Sequence, residues 1–176
     1  MEMPMSDVDQ GALRLCQANN PNDITKENFA RGLPKGPQRR WVPLNGAVGT
    51  KQLSWFQGVL HRAHVAQERL IVLSHVILHP DATPDANGLT LLWNYQDVLQ
   101  VMRKAPSAPV LVLCGHAHMQ AYAMDEMTGT HHVTLASPLE VPNGSTAAAL
   151  FEACADGSIV MKGRGVVPTV TLRPRC

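Results

Sequence analysis

The sequence lacks an apolar run long enough to cross a bilayer, and its N-terminus has no basic segment followed by an apolar core of signal-peptide length. These absences predict a soluble, cytoplasmic protein without a membrane partner. A surplus of one charge is also missing, since 15 Lys and Arg residues stand against 14 Asp and Glu residues. A balanced chain has no electrostatic reason to bind nucleic acid. We therefore expect a small-molecule ligand.

Closely spaced cysteines are absent as well. Cys16, Cys114, Cys154 and Cys176 are far apart and form no C-x-x-C pair. This spacing excludes a zinc ribbon and a compact disulfide scaffold, so we predict reduced, mostly structural thiols. Internal repeats and linker-like tracts are missing too. The 176 residues are thus predicted to form a single domain over 1–176, with 1–45 largely loop because Pro, Gly and Asn are frequent there.

What the sequence does contain is an alternation of helical and strand patterns. Helical spacing of apolar residues begins at Thr50, a plausible N-cap, and continues to about residue 67. Leu70–Leu73 is apolar at successive positions, as in a parallel strand covered on both faces. A second helix over 89–104 and the strand "PVLVLC" follow. The order predicts an α/β fold with parallel strands.

The last third of the chain has a different pattern. "THHVTLAS" reads as a strand, and "AAALFEACADGSIVMKGRG" reads as two strands joined at Asp156-Gly157. Asp-Gly is a favoured dipeptide of tight β-hairpins. We therefore predict an antiparallel hairpin at the C-terminal end.

Three histidines follow directly after the predicted parallel strands. His75 ends "IVLSH", and His116 and His118 form a Gly-His-x-His motif after "VLVLC". Parallel strands of an open sheet end at one edge, where ligands bind, so these imidazoles can converge. Neutral imidazole is a good ligand for manganese, iron, cobalt and zinc. A metal site is the prediction; a three-histidine zinc site and ordinary buried histidines stay open as alternatives.

The remaining histidines have plainer interpretations. They lie on the polar side of a helix, before a proline, or adjacent in a strand where successive side chains point to opposite faces. We predict surface or hydrogen-bonding roles for His61, His64, His79, His131 and His132.

An ordered series of motifs carries a family resemblance over residues 12–168. The motifs are "NPND", "LNGAVGTKQLSWFQGVL", "IVLSHVILHP", "LLWNYQDVL", "VLVLCGHAHMQAY", "HHVTLASPLEVP" and "MKGRGVVP". Together they resemble the C-terminal part of the calcineurin-like metallophosphoesterases, and within them the manganese-dependent diphosphatases of ADP-ribose and CDP-alcohols. The resemblance implies the C-terminal half of a four-layer α/β sandwich, with parallel strands plus a C-terminal antiparallel hairpin, so that 1–176 is one partial domain.

The resemblance also implies a site with two metal ions. His75 and His116 would bind one ion and His118 the other, with manganese as the metal and iron or zinc as alternatives. The family hydrolyses a nucleotide diphosphate linkage, which makes such a nucleotide the expected partner. Trp93-Asn94-Tyr95 resembles a family segment and could line the nucleotide pocket with an aromatic face, or it could pack at the start of a helix.

The family's metal-binding carboxylates have no counterpart in this chain. Its Asp-x-His, Gly-Asp and Gly-Asn-His motifs are absent here. Two divalent cations a few ångströms apart repel each other strongly, and neutral imidazoles do not compensate that charge. The dinuclear centre is thus expected to be incomplete in this chain alone, which leaves enzymatic activity open, and we assign no catalytic residue.

Two further expectations follow from the same resemblance. A parallel strand left at the edge of the sheet could pair with a second copy or with a complementing chain. The chain could instead be a non-catalytic relative that binds a nucleotide or a protein partner, or a mononuclear zinc-binding protein.

Overall fold

The computed structural model of the protein describes residues 7–84 and 87–174. Within these ranges the chain forms three α-helices, seven β-strands and two short 3-10 helices. The α-helices are α1 (Asp7–Asn19), α2 (Thr50–Val65) and α3 (Tyr95–Lys104), and the 3-10 helices are Pro37–Arg40 and Pro80–Ala82. The strands are β1 (Ile71–Ser74), β2 (Leu111–Cys114), β3 (Ala121–Met124), β4 (His131–Thr134), β5 (Ala147–Ala153), β6 (Ile159–Gly165) and β7 (Val170–Leu172).

The strands form two sheets. The first has the order β1-β2-β4-β3; β1, β2 and β4 run parallel, and β3 is antiparallel to β4. The second has the order β5-β6-β7 and is antiparallel throughout. This confirms the predicted α/β class with parallel strands and a C-terminal hairpin. Its turn contains Gly157, whose φ of 87° suits glycine.

Alternate side chains of the first sheet face two different cores. On one face, Val112 and Cys114 pack with buried residues of α2 and α3 such as Leu60. On the other face, Leu111 and Val133 pack against residues of the second sheet. Residues 7–84 and 87–174 therefore build three layers, in the order helices, mixed sheet and antiparallel sheet, where the resemblance implied four for the whole family domain.

Strand β1 corrects one expectation about burial. Its apolar run predicted cover on both faces, yet Ile71 is 44% exposed and Leu73 is 77% exposed. The reason is its position: β1 is the edge strand of the sheet, with β2 on one side and no strand from the described ranges on the other. The expectation of an exposed parallel edge is thus confirmed.

Helix boundaries differ from the predictions for tertiary reasons. Gly49, with extended backbone, precedes α2, so Thr50 is inside the helix and does not cap it. Helix α3 begins at Tyr95 instead of residue 89, because Leu91 bridges Ile77 in a parallel β-bridge before the helix can start. The local apolar spacing of 89–94 is helical, but pairing with another segment prevails.

The stretch predicted as mainly loop contains a helix. Helix α1 takes up 13 residues of it, while 20–45 forms turns and one 3-10 helix. Cys16 of α1 is fully buried with Ile24 and Trp93, which come from later segments. Strand β3 was also absent from the predictions. In residues 7–84 and 87–174, no helix combines the length and apolar character that crossing a bilayer requires.

Candidate metal centre

Two histidines leave the same edge of the first sheet directly after parallel strands. Strands β1 and β2 pair with Ser74 opposite Cys114, so His75 and the turn at Gly115-His116 follow at matching positions. The amide of Gly115 donates to the carbonyl oxygen of His75 over 3.1 Å, which continues the ladder by one residue. This pairing confirms that neighbouring strands deliver histidines from the same end.

The loop after β2 has left-handed backbone at both of its histidines. The φ angle is 65° at His116 and 58° at His118, a conformation that costs a residue with a Cβ about 1–3 kcal/mol. The amide of Ala117 donates to the carbonyl of Gly115 over 2.7 Å, and the amide of Ser137 donates to the carbonyl of His118 over 3.0 Å. Glycine would relieve the strain at both positions. The presence of imidazoles there instead indicates a functional role for the two rings.

His75 and His116 approach each other through ring nitrogens. Nε2 of His75 lies 3.2 Å from Nδ1 of His116, and the rings meet edge to face with centroids 5.0 Å apart. Two imidazole nitrogens that each lie about 2.1 Å from one ion are about 3.0–3.4 Å apart when they are adjacent ligands. The observed spacing fits adjacent ligands of one ion, and it also fits a direct hydrogen bond between the rings.

The buried side chain of Asn45 contacts the other nitrogen of His116. Its Oδ1 lies 2.9 Å from Nε2 of His116, while its Nδ2 donates to the carbonyl oxygens of Arg40 and Leu89, each over 2.8 Å. Both amide hydrogens are therefore used, so Oδ1 is the acceptor and Nε2 of His116 is the donor. Neutral His116 then carries its proton on Nε2 and has a lone pair on Nδ1, facing His75.

His116 is held in its neutral form by its surroundings. Burial lowers the pKa of His116 below its ordinary value, and the nearby His75 and His118 lower it further. An imidazole with a lowered pKa is uncharged at neutral pH, and the uncharged ring is the one that binds a metal.

His118 is supported by a carboxylate instead of an amide. Its Nδ1 lies 2.8 Å from Oε1 of Glu140, whose side chain is 62% exposed. A carboxylate behind Nδ1 keeps the proton there and leaves the lone pair on Nε2, as is common for histidines that bind metals. No hydrogen bond among the described residues joins His118 to His75 or His116, so the structure brings only His75 and His116 within hydrogen-bond distance of each other.

No carboxylate joins the pair of His75 and His116 in the part of the chain that the structure describes. Across 7–84 and 87–174, no three or more His, Cys, Asp and Glu side chains are grouped so as to hold a metal ion. The donor set of the pair is therefore two neutral nitrogens. Imidazole suits manganese, iron and zinc, so the pair fits part of a ligand set but leaves the charge of a divalent ion uncompensated.

The Trp93-Asn94-Tyr95 segment makes contacts inside the protein. Trp93 is 4% exposed and its ring stacks on that of Trp41, with centroids 6.0 Å apart. The Asn94 side chain accepts from the amide of Val48 and donates to its carbonyl, both over 2.9 Å. Tyr95 is buried in the core beside the helices. These contacts agree with the alternative of packing at a helix start, and a role in binding a base stays a prediction.

A second group of ionisable side chains lies inside the protein, where Pro80–Ala82 packs against β3 and β4. Asp125 is 1% exposed and accepts two hydrogen bonds from the Arg103 guanidinium, over 2.6 and 3.0 Å. Nε2 of His79 lies 3.8 Å from the Asp125 carboxylate. The ring of His79 lies beside that of His132, with centroids 4.9 Å apart.

His132 corrects the prediction of a surface or hydrogen-bonding role. It is 1% exposed, and neither of its ring nitrogens has a hydrogen-bond partner within residues 7–84 and 87–174. Burial lowers the pKa of His132 to about 3, and the adjacent His79 lowers it as well. The alternation of β4 could not reveal this, because both faces of that strand are covered.

The predicted hydrogen-bonding or surface roles agree with the structure for His61, His64 and His131. His131 places Nδ1 3.0 Å from the Tyr122 hydroxyl and Nε2 2.7 Å from the carbonyl oxygen of Arg173. His61 and His64 are exposed on α2. The prediction of a structural Cys114 also fits, because burial raises the pKa of the Cys114 thiol to about 11 and keeps it protonated at neutral pH.

Asn45 and Glu140 are the residues near the site that sequence reasoning missed. Both lie inside motifs that carried the resemblance, "LNGAVG" and "SPLEVP", yet no spacing rule links them to the histidines. The separation is 71 residues for Asn45 and His116 and 22 for Glu140 and His118. Only the fold brings each pair together.

Known proteins resemble this chain over part of their own length. No protein-family model matches it. A Xenopus laevis protein named manganese-dependent ADP-ribose/CDP-alcohol diphosphatase is 35% identical over 164 residues, 93% of this chain and 43% of that protein. Proteins of the same name from Arabidopsis thaliana and Homo sapiens are 39% and 33% identical, over 76% and 89% of this chain and 40% and 42% of their own lengths.

A solved structure shares the fold. The crystal structure of a dimetal phosphatase from Danio rerio matches 99% of this chain and 53% of that chain, with a TM-score of 0.87 and 30% identity. This chain therefore spans less than half the length of the curated relatives it matches and about half of the solved chain.

Proposed function

Because this chain belongs to the metallophosphoesterases, a relationship carried by its sequence and by its fold, we propose that it is part of a metal-dependent phosphohydrolase acting on a nucleotide diphosphate. ADP-ribose and CDP-alcohols are the substrate class, and manganese is the metal. The observation that carries this proposal is the pair of His75 and His116, with facing nitrogens 3.2 Å apart at the carboxyl ends of two parallel strands.

The residues divide between two metal positions. Nε2 of His75 and Nδ1 of His116 would hold one manganese ion, and Nε2 of His118 would hold a second. When bound, such a metal pair supplies Lewis-acid chemistry that stabilises charge on the phosphoryl oxygens and makes water a better nucleophile. The chain's own part is to orient these nitrogens, through Asn45 behind His116 and Glu140 behind His118.

The histidines alone do not complete the reaction. Three neutral imidazoles bring no negative charge between two divalent ions, whose mutual repulsion is large at a few ångströms. Among the described residues no Asp, Glu or Cys side chain is grouped with the pair, so we assign none of them to protonate a leaving group. We therefore expect little or no diphosphatase activity from this chain by itself.

The exposed edge of β1 is where the missing groups would join the site. A groove between α2 and β1 is lined by Trp55, Phe56, Val59, Ile71 and Leu73. Trp55 is 61% exposed, and Leu73 is 77% exposed on the edge strand. An apolar, unpaired parallel edge suits a polypeptide segment that adds a strand. That segment would carry the carboxylates next to His75, which follows β1 directly.

Hydrolysis of ADP-ribose and CDP-choline in Mn²⁺ tests the activity. The purified chain is compared with a His116→Ala, His118→Ala double variant, which exposes contaminating enzymes. We expect no turnover above the double variant, with Mn²⁺ bound only by the unaltered chain. Turnover that the double variant abolishes would refute the expected inactivity and keep the phosphohydrolase. A chain that binds neither Mn²⁺ nor ADP-ribose would refute the phosphohydrolase itself.

Complementation tests the sheet edge. The chain is mixed with a polypeptide comprising the part of the Danio rerio phosphatase that it does not match, and Mn²⁺-dependent hydrolysis of ADP-ribose is measured. We expect activity that Leu73→Lys abolishes and that Leu150→Lys, a change of another exposed leucine on the distant strand β5, retains. Self-association of the chain alone in light scattering, lost in Leu73→Lys, would assign the edge to a second copy instead.

A mononuclear zinc site is the second candidate function. It is favoured by the neutral donor set of His75 and His116, which no described carboxylate joins. One equivalent of tightly bound Zn²⁺, lost in His75→Ala and in His116→Ala, would support it over a manganese pair. Tight binding of ADP-ribose without turnover, in a chain that needs no second polypeptide, would support a non-catalytic relative.

A further inference from the structure

We infer that Asn45 is a positioning residue of the metal centre: its Oδ1 holds the proton of His116 on Nε2, and so presents the Nδ1 lone pair to the ion shared with His75. The inference rests on the proposed function, because it takes His116 as a metal ligand. It adds which nitrogen binds and which residue fixes that choice.

The side chain of Asn45 has no freedom to exchange its roles. It is 7% exposed, and its two amide hydrogens go to carbonyl oxygens from separate segments, those of Arg40 and Leu89. A carbonyl can only accept, so a flipped amide would oppose oxygen to oxygen twice. The only hydrogen-bonding capacity left is that of Oδ1, which lies 2.9 Å from Nε2 of His116.

The segments that hold Asn45 are themselves fixed. The guanidinium of Arg40 donates from Nε to the carbonyl of Trp93 over 2.7 Å, and from a terminal nitrogen to that of Pro37 over 2.6 Å. The backbone amide of Asn45 donates to the backbone carbonyl of Val42 over 3.2 Å. The loop before α2 is thereby tied to the segment before α3, and Asn45 is aimed from this frame at the end of β2. Supporting groups that are rigid in this way set the orientation of ligands.

Without the acceptor, His116 would have a better alternative. Its Nε2–H would face an unpaired, partly buried position, which is costly. Moving the proton to Nδ1 would let it donate to Nε2 of His75, 3.2 Å away. In that arrangement Nδ1 of His116 is the donor and Nε2 of His75 is the acceptor, so neither nitrogen has a lone pair free for an ion. Asn45 thus removes the arrangement in which His116 is the donor, and it keeps on Nδ1 a lone pair that an ion or the Nε2–H of His75 can use.

Three variants separate this role from simple packing. Asn45→Asp keeps an acceptor oxygen but gives up both donor bonds. Asn45→Leu keeps the approximate volume and gives up the acceptor. Asn20→Leu is the matched control, since Asn20 is also buried (4% exposed) and donates to the carbonyls of Phe29 and Trp41 without touching a histidine.

The tautomer of His116 is the first measurement and needs no metal. Long-range ¹⁵N–¹H spectra of the metal-free, ¹⁵N-labelled chain distinguish the two ring nitrogens, with His116→Gln used for assignment. We expect the Nε2–H form in the unaltered chain, in Asn45→Asp and in Asn20→Leu, and a shift toward the Nδ1–H form in Asn45→Leu. An unchanged tautomer in Asn45→Leu would overturn the inference.

Affinity for Zn²⁺, measured by chelator competition, is the second measurement. Asn45→Leu should weaken binding roughly 10- to 100-fold, the range for lost supporting bonds, while Asn20→Leu stays near the unaltered chain. Asn45→Asp should lose less than Asn45→Leu, because its second oxygen opposes the carbonyls of Arg40 and Leu89 but its first oxygen still accepts from His116. An affinity of Asn45→Leu equal to that of the unaltered chain would overturn the inference. If the unaltered chain binds Zn²⁺ no better than His116→Ala, the metal site fails, whereas the tautomer result still decides how Asn45 orients His116.

Discussion

Two pairs of histidine rings lie at almost the same separation in this protein and differ in what they can do. The ring centroids are 5.0 Å apart for His75 and His116 and 4.9 Å apart for His79 and His132. In the first pair two nitrogens face each other over 3.2 Å. In the second pair the rings are tilted by 43°, and both nitrogens of His132 are unpartnered within the described ranges.

The surroundings explain the difference. The first pair sits at the end of two parallel strands, next to the Asn45 amide, whose oxygen accepts a hydrogen bond from Nε2 of His116. The second pair is enclosed beside Asp125, whose carboxylate is already bound to the Arg103 guanidinium. The Arg103 cation already occupies the carboxylate of Asp125, so a metal ion there would be opposed by like charge. Ring proximity is therefore a poor sign of a metal site, and the direction of the lone pairs is a better one.

The largest expected effect is on stability, from a change in the cluster of Arg103 and Asp125 that lies beside His79 and His132. Asp125→Ala should lower the free energy of unfolding by about 3 kcal/mol, the low end for breaking a buried ion pair, because Arg103 is 34% exposed and the backbone amides of Met127 and Thr128 also lose their acceptor. Urea denaturation at pH 7 measures it, with the exposed neighbour Glu126→Ala as control. A loss of about 0.5 kcal/mol or less, the usual size for a surface substitution, would contradict the view that this cluster stabilises the fold.

The next effect concerns binding. His116→Ala should reduce Zn²⁺ affinity by at least about 100-fold, which equals about 2.7 kcal/mol, because the remaining His75 nitrogen is a single ligand. His132→Leu should leave the affinity unchanged. Chelator competition on folded proteins provides the numbers. Equal losses in both variants would abolish the distinction between the two pairs.

The third effect is a pH dependence of stability that belongs to His132. The pKa of His132 is about 3 in the folded protein and about 6.5 when unfolded, so the unfolded chain binds more protons as the pH falls below 6.5. Stability should drop by about 2 kcal/mol between pH 7 and pH 5. Burial also lowers the pKa of His79, which adds loss of the same sign.

Asp125 does not contribute to the change in stability between pH 7 and pH 5. Burial would raise the pKa of its carboxyl, but hydrogen bonds from Arg103, Thr128 and Met127 outweigh that effect and hold the pKa below its ordinary value. Its contribution is therefore lost only at lower pH. His132→Leu should flatten the change between pH 7 and pH 5, while the exposed His61→Gln should not. Urea denaturation at each pH decides, and an unflattened curve in His132→Leu would assign the proton uptake to another group.

The smallest effect compares the two groups that support the histidines of the proposed metal centre. Glu140→Gln should weaken Zn²⁺ binding by at most about fivefold, since interactions of exposed charges contribute about 0–1 kcal/mol and Glu140 is 62% exposed. Asn45→Leu should weaken it more, because Asn45 is buried. A larger loss in Glu140→Gln, measured by the same competition assay, would reverse the ranking of amide and carboxylate.

Local patterns explain which features were predictable. Apolar runs give parallel strands, Asp156-Gly157 gives a hairpin, and histidines that follow strands lie at one sheet edge. Helix α1 was missed because Cys16 is buried by Ile24 and Trp93, which arrive from elsewhere in the chain. The burial of His132 was missed because both faces of β4 are covered. The cytoplasmic location and the role of Trp93 in binding a nucleotide stay predictions.

The residue pattern alone is enough to place the imidazoles, because two apolar runs that pair as parallel strands end at the same edge of the sheet. The role of each ring nitrogen depends on the folded structure. Asn45, whose Oδ1 accepts from Nε2 of His116, is 71 residues away along the chain. The carbonyl oxygens of Leu89 and Arg40 orient its side-chain amide from two separate segments. A lone pair is aimed by its hydrogen-bonded neighbours, and those neighbours meet only in the folded protein.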